Sequence, residues 1–328
     1  MSQLSNKVLV VGMDGLRFDR LRALRPPVLT SLMSAGVYGT SLLPYGEKAA
    51  PRTESPGEIV PEPPAESVTP GERVIRARTS PEPLVEPAPP GERVIRARTD
   101  SGPGWSSIAS AVWPDKHGVV DNGFAGAQFT KYPDFLTRAQ AARPDLSTAA
   151  FFSWAALDEH GAFSRAIGHR LVLDGFALTF AGADKLVAAE AERHLAESGP
   201  DLSFVYLGDT DEVAHDLGPF CPEYTAALMT QDAALGRFLD AIRARPSYSA
   251  ERWTVLVTTD HGHVDEGGHG GASDEERTVF VIAARLGADL GGRPLPRARL
   301  VDVGPTALAE LGIPVDPAWD LDGEPLLR

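Results

Sequence analysis

Three apolar bursts in this chain end in the same way. KVLVVGMDG, LSFVYLGDTD and WTVLVTTDHGH run through consecutive Val, Leu and aromatic residues and stop at Asp14, at Asp211, and at Asp260 with His261. A continuous apolar run bounded by glycine or polar residues reads as a strand buried on both faces, as in a parallel sheet. TVFVIAA is a fourth such run. Between the bursts, ADKLVAAEAERHLAES and YTAALMTQDAALGRFLDAIRAR carry apolar residues at helical spacing. Alternation of strand and helix predicts an α/β protein, a three-layer α/β/α sandwich around a central, largely parallel sheet. Open sheets of this kind bind ligands beyond the carboxyl ends of their strands, so the acids and histidine that close the bursts form the first candidate site.

The chain has 328 residues, 43% of them hydrophobic, enough for a sizeable core. The expectation is one domain over residues 1–328, interrupted by an insertion at 47–98. A formal charge of −14 disfavours nucleic-acid or anionic-membrane partners, and an anionic substrate then needs local positive charge, which bound metal ions supply. The single cysteine, Cys221, has no internal partner for a disulfide. The lead before MDG is too short for a secretory h-region, and no apolar run approaches the roughly 20 residues of a membrane span. A soluble, cytoplasmic protein is expected.

The insertion is rich in Pro and Glu and contains a tandem duplication, PEPPAESVTPGERVIRARTS at 61–80 followed by PEPLVEPAPPGERVIRARTD at 81–100. Two copies are too few for a solenoid. The Pro-rich halves read as extended, whereas VIRAR alternates like a short strand, and the second copy would deliver the chain to the sheet edge ahead of Ser101.

That second copy runs into SGPGWSSIASAVWPDKHG, where Ser101 opens an apolar helical run. A helix start offers unpaired NH groups and a favourable dipole to an anion such as phosphate, which makes Ser101 a candidate nucleophile. In LGDTDEVAHDLG, Asp211 and His215 are four apart and share a helix face. DHGHVDEGGHGG then sets His261, His263 and His269 among acids and five glycines, in a chain with only eight histidines. Histidine, carboxylate and a pliable backbone are what a zinc-like site needs.

The order of VVGMDG, the serine helix with its HG turn, DEVAHDLG, TTDHGH and GGHGG resembles the alkaline phosphatase superfamily, and within it the nucleotide pyrophosphatase/phosphodiesterase branch. VDVGPTALAELGIP and LDGEPLL resemble that superfamily's closing helix and final turn, so the likeness spans nearly the whole chain apart from the repeat. The resemblance implies two divalent cations, Zn2+ first and Mn2+ or Mg2+ as alternatives. Asp14, Asp260 and His261 would hold one ion, Asp211, His215 and His269 the other, with Ser101 as a shared ligand and the nucleophile. His117, in the HG turn, is implied to be structural, and His263 is left unassigned.

Two departures shape the expected chemistry. Trp105 stands where a sulfatase has arginine, which disfavours that class. The resemblance also implies an asparagine for a phosphoryl oxygen, and Gly104, three residues beyond Ser101, does not supply one. Gly104 and Trp105 are nevertheless taken as candidate substrate contacts. The implied function is hydrolysis of phosphate esters, with a small phosphorylated, nucleotide-like substrate and diesters ahead of monoesters. Alternatives are a phosphomonoesterase, a phosphonate hydrolase and a catalytically silent metal-binding scaffold.

Overall fold

The computed structural model describes residues 4–48 and 93–327. Ten strands are assigned there: β1 Ser5–Met13, β2 Val37–Leu42, β3 Tyr45–Lys48, β4 Val94–Arg96, β5 Thr148–Phe152, β6 His169–Val172, β7 Leu202–Leu207, β8 Glu251–Thr258, β9 Thr278–Arg285 and β10 Arg293–Pro294. Eight form one sheet in the order β10-β2-β9-β8-β1-β7-β5-β6. The four apolar bursts are β1, β7, β8 and β9, each buried along most of its length. β8, β1, β7, β5 and β6 are mutually parallel, and β9 is antiparallel to both β8 and β2.

Side chains alternate across the sheet. Val8 and Val10 of β1 face one layer, with Trp105, Ile108, Phe135 and Leu308 from helices Ser101–Ser110, Phe135–Ala142 and Val303–Glu310. Leu9, Val11 and Met13 face the other, with Leu29, Val187, Leu195, Leu235 and Phe238 from Pro27–Ala35, Phe180–Glu197 and Pro222–Arg243. A sheet covered on both faces explains why its strands read as unbroken apolar runs. The chain is therefore the three-layer α/β sandwich that its pattern implies. Among the described residues no helix is long and apolar enough to cross a membrane.

VIRAR does contribute a strand, but to a different partner than expected. β4 pairs antiparallel with β3 in a separate two-stranded sheet, Tyr45 opposite Arg96 and Lys48 opposite Val94. Ser101 is thus delivered from a small side ribbon and not from the edge of the main sheet. The first repeat copy at 61–80 and the start of the second lie outside the described residues.

Candidate active site

Asp14 follows β1 directly, helix Asp209–Leu217 begins two residues after β7, and Asp260 follows β8 by two residues. β7 and β8 flank β1, so three adjacent strands release their acids into one crevice. Ser101 is the first residue of its helix, and its Oγ lies 3.2 Å from His261 Nε2.

Around His261 the donor set is incomplete in an informative way. Its Nδ1 is 3.0 Å from the Gly262 carbonyl, an acceptor only, which assigns the proton to Nδ1 and leaves a lone pair on Nε2. That nitrogen lies 3.5 Å from Asp14 Oδ1 and 3.3 Å from Asp260 Oδ2. Both oxygens are buried without a hydrogen-bond partner. The Ser101 hydroxyl is the one donor within reach of Nε2, and two carboxylate oxygens converging beside it with no donor of their own form an unfavourable cluster unless a cation sits among them. The other Asp14 oxygen, Oδ2, accepts the Trp105 Nε1–H at 2.9 Å and the Tyr206 hydroxyl, which aims Oδ1 at the crevice.

The second set is built the same way. His269 Nδ1 faces the Thr99 carbonyl at 2.6 Å, so its Nε2 carries the lone pair and stands 2.9 Å from His215 Nε2 and 3.6 Å from Asp211 Oδ1. His215 Nε2 is 3.3 Å from Asp211 Oδ2. Asp14, Asp260 and His261 form one group with metal-compatible spacing, and Asp211, His215 and His269 another. For His261 and His269 a backbone carbonyl on the far ring nitrogen is the kind of second partner that ligating histidines have.

The electrostatics agree with a cation site. Burial, then the charge of Asp211, pushes Asp14 up to about 7. Burial followed by Asp14 and Asp211 holds Asp260 well above the usual carboxylate range. Burial acts upward on Asp211 too, but hydrogen bonds from His215 and His263 outweigh it and hold it well below. His215 rises to about 9 through its hydrogen bond to Asp211, and burial brings His269 down to about 4. Bound divalent ions reverse the logic for the carboxylates, since opposite charge favours their ionised forms. The donor set therefore fits two such ions.

Beside these groups lies a cleft of about 460 Å3 lined by Asp100, Ser101, Asn122, Trp154, Phe176, Phe180, Tyr206, Asp211, Glu212, His215 and His269. The two expected substrate contacts need correction. Trp105 is fully buried, edge-on to Phe204 and Tyr206, and its role is to hold Asp14. Gly104 is an approach point, because a Cβ there would come within 2.7 Å of the Asp260 Cβ and push the serine helix off the crevice.

Sequence reading passed over one residue and left another unassigned. Asn122, in the DNG turn beyond His117, accepts the Gly102 N–H at 2.7 Å and lines the cleft beside Ser101. The Asp-Asn-Gly turn was the visible signal, but twenty residues separate it from the backbone it meets. His263 is buried with Nε2 2.8 Å from Asp211 Oδ1, and both pack over Gly15, whose φ of +61° and lack of Cβ they require. It joins Asp211 and His261 in a third overlapping ligand group. His117 is structural: Val119 N–H donates to its Nδ1 and its Nε2 contacts Ser107 Oγ, with burial bringing it down to about 3.

The type I phosphodiesterase/nucleotide pyrophosphatase family model matches residues 98–272, just over half of the chain. A curated relative, GPI ethanolamine phosphate transferase 2 of Schizosaccharomyces pombe, is 28% identical over 134 residues, which are 37% of this chain and 18% of that protein. The chain thus matches less than a fifth of that relative's length. Among solved structures, murine ectonucleotide pyrophosphatase/phosphodiesterase 5, an inactive variant in complex with AMP, superposes with a TM-score of 0.61 at 14% identity, covering 96% of this chain and 99% of that one. The phosphonate monoester hydrolase of Silicibacter pomeroyi gives 0.58 at 14% identity over 98% and 76% of the two chains. At such identities these structures share the fold. The matched segment, which carries Ser101 and both ligand groups apart from Asp14, shows that the chain belongs to the type I phosphodiesterase/nucleotide pyrophosphatase family.

Proposed function

We propose that this chain is a metal-dependent phosphodiesterase or nucleotide pyrophosphatase that works through Ser101. The observation that carries the reading is the position of Ser101 Oγ, at a helix start and 3.2 Å from His261 Nε2, where the two ligand groups meet. Asp14, Asp260 and His261 would hold one divalent cation and Asp211, His215 and His269 the other, with Zn2+ suited to this nitrogen and carboxylate set. Two such ions, when bound, neutralise phosphoryl oxygens and lower the pKa of a nearby hydroxyl. Ser101 Oγ, giving its proton to solvent, attacks phosphorus in line; the ester oxygen opposite leaves with its bonding pair and takes a proton from water, and a second water then cleaves the phosphoseryl group and restores the serine hydroxyl. The Asn122 amide, fixed by the Gly102 N–H, leaves its NH2 as the donor for a phosphoryl oxygen.

The cleft favours a diester over a monoester. Among the described residues that line it there is no Lys or Arg, and Asp100 and Glu212 add negative charge. A monoester brings an extra negative charge that such walls repel, whereas a diester brings one fewer and a second organic group. Trp154, Phe176, Phe180 and Tyr206 form an aromatic wall for that group. Phe176 is 71% exposed and edge-on to Phe180 at 5.1 Å, free to stack on a planar base. The complex of the murine structural neighbour with AMP supports a nucleotide-like substrate. The test compares bis(p-nitrophenyl) phosphate with p-nitrophenyl phosphate on zinc-loaded protein and after chelation. Faster turnover of the diester, lost on chelation, is expected, and a preference for the monoester would overturn the reading.

A further inference from the structure

Away from the crevice, two histidines and a glutamate come together on the opposite half of the sheet. His169 begins the edge strand β6, and Glu190 and His194, four apart, lie on one face of helix Phe180–Glu197. His169 Nε2 lies 3.2 Å from Glu190 Oε1, and the His169 and His194 rings stack at 4.1 Å. Despite that proximity His169 Nε2 makes no hydrogen bond, and the atom is shielded from solvent. All three residues offer ligand atoms within 4.8 Å of one another. Phe151 packs against both imidazoles and limits their rotation.

Register separates this cluster from the catalytic one. His169 is opposite Ala149, Ala149 opposite Ser203, and Ser203 opposite Leu9, so it lies three strands across and five residues back from Asp14. At ~4.8 Å per strand and ~3.3 Å per residue, the separation is roughly 20 Å.

We propose that His169, Glu190 and His194 form a separate divalent-cation site of the zinc class, which staples edge strand β6 to helix Phe180–Glu197. Two imidazoles and one carboxylate are a zinc-type donor set with a fourth position left open. A cavity of about 330 Å3, lined by His169, Arg170, Leu171, Leu173, Leu186 and Glu190, leaves room at that position for water or a small anion. The Glu190 carboxylate is already aimed, because Arg193 donates to Oε2 at 2.8 Å and to Oε1 at 2.6 Å. Each oxygen keeps a second lone pair, so the guanidinium orients this ligand as outer hydrogen bonds orient the carboxylates of metal sites. The staple answers a local weakness: β6 has four residues and, among the described residues, pairs only with β5, which leaves its outer side as a sheet edge.

The test loads full-length protein with Zn2+, removes excess by desalting, and measures zinc per chain by mass spectrometry. The double variant His169→Gln and His194→Gln is expected to hold one equivalent fewer than the unsubstituted protein, with unchanged phosphodiester hydrolysis. The difference is read independently of how many ions the catalytic crevice binds. Equal zinc contents would overturn the proposal. Anomalous diffraction from zinc-soaked crystals of the unsubstituted protein provides a check that needs no variant. A peak among the three side chains is expected, and its absence would also overturn the site.

Discussion

At Ser101 the geometry separates chemistry from metal binding. Its hydroxyl is one group among seven candidate ligands, so Ser101→Ala is expected to retain bound zinc while turnover falls on the order of 10^3-fold or more. Metal analysis and single-turnover kinetics check both halves, and near-normal turnover would remove the serine from the mechanism. Asn122→Ala is expected to lower kcat by about 10^2-fold with a smaller change in KM, as for loss of one oxyanion donor. The protonation states also make a prediction for chelated protein. His215 is raised to about 9, so its contribution to stability is complete below the ordinary imidazole value near 6.5 and is lost as pH rises through about 9. The elevated Asp260 acts in the same direction, because the folded state resists its ionisation. In EDTA the urea midpoint is therefore expected to fall between pH 7 and 9.5, and zinc to restore it. A midpoint that rises over that range contradicts the assignment.

At the scale of elements, the turn that presents Asp211 depends on a buried carboxylate that belongs to neither ligand group. Asp184, on helix Phe180–Glu197, accepts the Gly208 N–H at 2.9 Å, the Asp209 N–H at 3.0 Å, the Ser153 hydroxyl and the Gln231 amide. Gln231 Oε1 in turn meets the Thr210 hydroxyl, which donates to the Asp14 carbonyl at 2.7 Å. One network thus ties the ends of β1 and β7 together. Asp184→Ala leaves several buried donors without an acceptor, and each costs about 1–3 kcal/mol. The expected result is a loss of several kcal/mol by urea unfolding together with weaker zinc binding. Unchanged zinc affinity would show that the turn holds its shape without Asp184.

For the whole molecule, the duplicated segment poses the question of how much chain the fold needs between residues 48 and 93. β3 and β4 pair with each other, which holds the two ends of that connection together. Closure entropy varies slowly with length, so removing residues 61–80 is expected to change stability by about 1 kcal/mol or less. Zinc content and diester turnover should stay within twofold. Unfolding or loss of zinc in the deletion would assign the first copy a structural role. Changing Ile95 to Asp, by contrast, places a charge at a buried position of β4 and is expected to destabilise the ribbon that leads into Ser101.

The sequence by itself determined the strands that carry the site, because a sheet buried on both faces requires unbroken apolar runs, and their terminal acids mark where ligands bind. It also carried the pairing of Asp211 with His215, since four residues along a helix is a fixed geometric relation. The antiparallel placement of β9, and the pairing of β4 with β3 instead of the main sheet, were decided only by tertiary packing. Strand direction and partner are not written in a run of Val and Ile, which pack equally well either way. Trp105 shows the same limit at a single side chain. Next to a nucleophile in sequence it read as a substrate contact, yet helix geometry turns it inward onto Asp14. Asn122 and His263 went the other way, brought to the crevice by turns whose course depends on what they pack against. A hydrogen bond across twenty residues, or a carboxylate reached over Gly15, exists only when the chain has closed on itself.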